Sequence, residues 1–183
     1  MKFIVFAGFF LASVFDLYAC QGGQEFTIQK GSHKSKPRKF AFVSGKTFKF
    51  SACFDSSAKY NLGNVNQFDT NKLFGHSDCT ALHTKHSARF GWLWNTEKQK
   101  IDIMAFVHAN SQFSYEYMGE MGINEKADFK IQTLDNHYQF EFKGKSLKMA
   151  RGCSQKNPIR YKLYPYFGGN ETAPHKIQIN IWD

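Results

Sequence analysis

Apolar and polar residues alternate with a period of two, rather than the 3.6 of a helix, along most of the chain. Over Lys100–His108, Ile101, Ile103, Ala105 and Val107 fall on one face, and Asp102, Met104, Phe106 and His108 on the other. Phe113, Tyr115 and Tyr117 alternate with Ser114 and Glu116, and Phe129, Ile131 and Thr133 continue the pattern. Asp135-Asn136 and Gly144-Lys145 carry turn chemistry on either side of Tyr138, Phe140 and Phe142. Ile177, Ile179 and Ile181 mark the last strand, with Lys176, Gln178 and Asn180 opposite. Similar runs over Glu25–Gln29, Lys39–Ser44, Thr47–Phe54 and Ala88–Trp94 bring the expectation to about ten strands. No twelve-residue window carries an amphipathic helix. The pattern predicts an all-β protein: a two-layer antiparallel β-sandwich of the jelly-roll, concanavalin-like kind, with a lipocalin-like β-barrel as runner-up. Residues 55–71, rich in Asn and Asp, read as an irregular surface excursion.

The first nineteen residues break the pattern. Lys2 precedes an apolar run from Phe3 to Phe15, too short to cross roughly 30 Å of hydrocarbon and typical of an export signal. Residues 1–19 are expected to be a signal peptide and residues 20–183 one domain in the periplasm, at the outer membrane or secreted. Leu17-Tyr18-Ala19-Cys20 resembles a bacterial lipobox, with bulky Tyr18 where small residues are usual. It makes Cys20 a candidate for lipidation and a membrane tether; ordinary cleavage after Ala19 is the alternative.

Export permits disulfides. Cys79 and Cys153 both sit in polar, loop-like stretches and are the expected pair, while Cys53 in a strand pattern reads as a buried thiol. With an unlipidated Cys20, three pairings of the four cysteines remain open.

Composition narrows the partner. The 183 residues carry 24 Lys and Arg against 15 Asp and Glu, a net charge of +9, which favours phosphate, uronate or anionic lipid. Residues 30–49 hold seven of those cations and no acid. Nucleic acid fits the charge but not an exported protein. The expected partner is a carbohydrate or an anionic envelope component.

Candidate chemistry concentrates in two segments. In Cys79–Trp94, Trp92 and Trp94 share a strand face, a surface suited to sugar stacking if exposed, with Arg89 on the opposite face. His83 precedes that strand. Near the C-terminus, Tyr164 and Tyr166 share a face with Arg160 and Lys162, while Tyr161, Leu163 and Phe167 read as core. The expected binding set is Trp92, Trp94, Tyr164, Tyr166, Arg160, Lys162 and His83, acting without catalysis. An enzymatic alternative is a polysaccharide lyase, with a Tyr or His base and an Arg neutralising a uronate, assembled from Tyr164, Tyr166, His83, Arg89 and Arg160. A glycosidase needs paired carboxylates; Asp102, Glu116, Glu141 and Glu171 are candidates without a declared pair. A purely structural envelope protein is the third reading. Cys79, His83, His86 and His175 are too loosely spaced to be expected to bind metal, and no cofactor is expected.

Ser87-Ala88-Arg89-Phe90-Gly91-Trp92 and the run from Tyr164 to His175 (Tyr-Pro-Tyr-Phe-Gly-Gly-Asn-Glu-Thr-Ala-Pro-His) resemble motifs of a group of secreted bacterial proteins. That group is similar in general look to concanavalin-like lectin and glucanase sandwiches. The resemblance spans roughly residues 72–182. It implies a sandwich fold and carries over no catalytic residue, because the acidic motif of many such glucanases is missing.

Overall fold

A computed structural model describes residues 20–183; the expected signal peptide lies outside them. The alternating segments form strands β1 (Gln24–Ile28), β2 (Ser35–Lys36), β3 (Thr47–Phe54), β4 (Asn71–Ser77), β5 (Ser87–Asn95), β6 (Lys100–Ala109), β7 (Gln112–Met121), β8 (Lys126–Thr133), β9 (His137–Phe142), β10 (Lys145–Ala150), β11 (Lys162–Leu163) and β12 (Ile177–Trp182). They build two antiparallel sheets, one of order β10-β9-β8-β3-β12-β1-β2 and one of order β11-β4-β5-β6-β7. This is the jelly-roll-like sandwich expected from the sequence. Each sheet ends in its own edge strands, so the barrel is excluded.

The sheets meet on their ring-bearing faces. Phe50 stacks on Phe129 at 4.8 Å, Phe90 meets Phe129 and Phe140 edge-on, and Phe54 packs on Trp92 at 5.0 Å. Ile177, Ile179 and Ile181 complete the layer from β12. Fully burying one such side chain contributes about 1.5–3 kcal/mol.

Two local expectations change. Lys39–Ser44 is not a strand; it carries one isolated bridge, between Phe42 and Tyr161, with further backbone hydrogen bonds to Arg160 and Lys162, and its one cation, Lys39, lies exposed. Strand β4 arises where no strand was anticipated, because a register shift between Lys72 and Gly75 breaks its alternation. Its Gly75 is obligatory: a Cβ there would stand 2.2 Å from the Ala88 carbonyl oxygen on β5.

The cysteines are all paired. Cys79 bonds Cys153 as expected, and Cys20 bonds Cys53. The second bridge corrects one expectation: Cys53 is not a free thiol, and its partner is Cys20, the residue considered for lipidation.

Candidate functional site

On β5 the alternation places Ala88, Phe90, Trp92 and Trp94 between the sheets and Arg89 on the outer face of the five-stranded sheet. Trp92 and Trp94 are 0% and 3% exposed. Neither indole can meet a sugar, because the same apolar area that suits stacking is what closes the core. The expected platform is therefore absent from the surface.

Several other expected site residues are also bound into the structure. Arg160 and Arg151 are buried, donating from Nε to Asp78 Oδ1 at 2.9 Å and Oδ2 at 2.7 Å, and Tyr138 OH donates to Oδ2 at 2.8 Å. Burial alone would raise the Asp78 pKa; these donors hold it down to about 2. Arg160 is therefore a core ion-pair partner rather than a ligand contact. Lys162 pairs with Asp183. Tyr164 turns inward against Phe26 and Phe74, and its hydroxyl donates to the Lys39 carbonyl. The residues considered for zinc are engaged separately: Cys79 in its bridge, His86 accepting from Asn110 N–H, and His175 against the Ser57 carbonyl.

The outer face of the five-stranded sheet gathers a different set. Register aligns Gly75, Arg89, Phe106 and Tyr115 across β4, β5, β6 and β7, with Ser87, His108 and Phe113 in the neighbouring row. Directly opposed residues share a face, so His108 and Arg89 project together. Two cavities lie over this face. One, about 490 Å³, is lined by Arg89, His83, Tyr161, Tyr166, Lys34 and Arg38; the other, about 370 Å³, by Lys72, His108, Phe106, Phe113, Tyr115 and Phe68, among others.

Arg89 is the unusual member. It is 7% exposed, its Nη2 donates to the Tyr164 carbonyl at 3.2 Å, and its Nε has no partner. No carboxylate pairs with it among the described residues. Burial, followed by the charge of Arg38, pushes its pKa down to about 9, opposed only by Tyr166 and Tyr161. A buried cation is ordinarily paired. Here the partner position faces the groove.

Around Arg89 the other groups are tuned by the same field. Lys72 donates from Nζ to the Thr70 and Gly168 carbonyls at 2.8 and 3.2 Å, and burial together with Arg89 lowers its pKa to about 8. His108 is lowered to about 4, first by burial and then by Arg89, His83 and Lys72. Its Nδ1 meets Ser87 Oγ at 3.3 Å, leaving Nε2 as the nitrogen for a ligand. His83 is also lowered, by burial and then by Arg89 and Arg38, and its backbone N–H donates to Tyr161 OH at 2.9 Å. Tyr166 stacks on His33 at 5.1 Å and bridges Lys72 through its backbone. The arrangement offers a positive anion seat flanked by a neutral imidazole and phenolic hydroxyls.

Of the expected binding set, the structure brings His83, Lys162, Tyr164 and Tyr166 to this groove, beside the Arg89 of the lyase alternative. Lys72, His108 and Tyr161 were missed. The polar half of the β6 alternation, Asp102 to His108, was the signal available for His108. Of the carboxylates considered for a glycosidase, Asp102 takes a hydrogen bond from Asn95 and Glu171 takes one from Asn66; neither lines the two cavities.

Solved structures share this architecture. The alginate lyase AlyC3 matches with a TM-score of 0.60 at 11% identity, covering 86% of this chain and 71% of its own. A protein described among endo-acting O-glycanases of the human gut microbiota that initiate mucin breakdown matches at TM-score 0.54 and 13% identity, over 88% and 80%. The polysaccharide lyase family 18 protein aly-SJ02 matches at 0.52 and 8%, over 89% and 86%. At these identities the likeness is one of fold. No protein-family model and no curated protein matches the chain, so the group of secreted proteins that its motifs resemble is not identified. What is established is an all-β, two-sheet jelly-roll-like sandwich structurally related to carbohydrate-active proteins.

Proposed function

We propose that the protein is an exported lyase that cleaves an acidic polysaccharide by β-elimination. The observation that carries this reading is Arg89, a buried guanidinium with no carboxylate partner beside a neutral histidine. A uronate carboxylate seated on Arg89 would complete the missing ion pair and stabilise the negative charge that develops when the sugar loses its C5 proton. His108 Nε2 accepts that proton. The electrons of the C5–H bond form the C4=C5 double bond, the C4–O4 bond breaks, and Tyr166 OH protonates the departing oxygen. The bound carboxylate offsets Arg89, the foremost of the charges that hold the His108 pKa down, so binding itself strengthens the base.

Two of the structurally similar proteins are polysaccharide lyases by name, and two disulfides suit an oxidising compartment. Both support the reading. The non-catalytic alternative loses its Trp92–Trp94 platform but keeps the same anion seat. Incubation with a panel of acidic polysaccharides separates the two, because elimination creates an unsaturated end that absorbs in the ultraviolet. Product from the wild type, abolished in Arg89→Met and reduced at least about a hundredfold in His108→Asn, is the expected result. Binding without product in every polymer would leave a lectin-like groove.

A further inference from the structure

The two cavities over the five-stranded sheet differ in chemistry. The one beyond Arg89 holds Lys34, Arg38, Lys39 and His83 and no acid. The one on the His108 side is walled by Phe68, Phe113 and Tyr115, which are 70%, 63% and 51% exposed. Such clustered exposed rings mark a contact surface rather than ordinary packing. Phe113 and Tyr115 both lie parallel to the buried Phe106, at 7° and 2°, so their rings share one orientation. The only lysine in that cavity, Lys72, already serves two backbone carbonyls, and Asp69 lines the same space. A carboxylate placed there would meet Asp69 and aromatic walls instead of a free cation.

We propose that the groove reads two unlike neighbours in one polymer: an acidic sugar at Arg89 and a non-acidic pyranose against Phe113 and Tyr115. Arg89 and Tyr115 are aligned across β5, β6 and β7, a separation of about 10 Å from the strand spacing, of the order of a disaccharide. The substrate class is thus an alternating heteropolymer of uronate and neutral or amide-bearing sugar, in preference to a pure polyuronate. This rests on the lyase reading for the position of the acidic sugar, but its own evidence is the aromatic wall.

The test is calorimetric binding of three tetrasaccharides: hexuronate only, hexuronate alternating with N-acetylhexosamine, and neutral hexose only. The wild type, Phe113→Ala/Tyr115→Ala and Arg89→Met are compared, each checked by thermal melting. The alternating compound should bind the wild type at least about tenfold more tightly than the other two, and the double variant should lose about tenfold for it with at most a twofold change for the hexuronate. Equal or tighter binding of the pure hexuronate, or an unchanged double variant, overturns the inference. Unchanged acidic binding in Arg89→Met overturns the lyase reading instead, and failure of all three compounds to bind overturns both. The stated preference together with no eliminated product in any polymer keeps the inference and removes the catalysis.

Discussion

If Arg89 awaits an anion, replacing it should stabilise the free protein. The fall of its pKa from the ordinary guanidinium range to about 9 corresponds to about 5 kcal/mol against the charged form. The unfolded chain keeps its proton to a far higher pH, so the penalty is present in full at every pH below about 9 and is relieved only above it. Arg89→Met retains the unbranched stem and removes the charge. It also removes the hydrogen bond to the Tyr164 carbonyl, a loss of about 1.5–3 kcal/mol for a charged donor. The net expectation is a gain of about 1–4 kcal/mol, the range seen when buried ionic groups give way to apolar ones. Urea unfolding at pH 7 measures it directly. A saturating acidic oligosaccharide should then raise the midpoint of the wild type and leave that of the variant unchanged. A variant less stable than the wild type by more than about 1 kcal/mol would refute the reasoning, because it would make Arg89 a structural cation satisfied within the protein.

Other consequences follow from the same structure. His76 is buried and its pKa is lowered to about 4, chiefly by burial; the unfolded chain binds a proton below pH 6.5, so stability should fall by about 3 kcal/mol between pH 6.5 and 4. Urea midpoints across that interval should show a shallower slope in His76→Gln. For the proposed elimination, kcat/KM should hold down to about pH 5 and fall as the His108 pKa of about 4 is approached; a loss already centred near pH 6.5 would exclude His108 as the base. The Cys79–Cys153 bridge closes a separation of 74 residues, worth about 4 kcal/mol by loop entropy. Cys79→Ala/Cys153→Ala should lower stability by that order in equilibrium unfolding.

The strand pattern was legible because alternation is a local signal, and β6, β9 and β12 announce themselves in the sequence. Pairing of Cys79 with Cys153 was legible for a related reason, since both lie in loops free to meet. The site was harder to read. Alternation says that Trp92 and Trp94 share a face and that Arg89 takes the other, but not which face is inside. On β5 the usual contrast fails, because all but Leu93 and Asn95 are buried, as happens when a sheet is covered on both sides. Its outer face is covered by long-range neighbours: Tyr166 from beyond β11, the basic stretch before β3, and the ring wall of β7. Through Pro165 the alternation holds, with Leu163, Pro165 and Phe167 buried and Lys162, Tyr164 and Tyr166 partly exposed; Tyr161 departs from its expected place in the core and lines the groove beside Tyr164. Arg89 lies in the half that the sequence left unread, and the proposed site is built on it. A cation buried at that depth without a carboxylate conflicts with ordinary stability rules, and such conflicts gather where a ligand resolves them. The most informative residue in the segment was therefore the one whose environment the sequence could least explain, and the aromatic pair that looked most like a binding platform was needed to hold the sheets together.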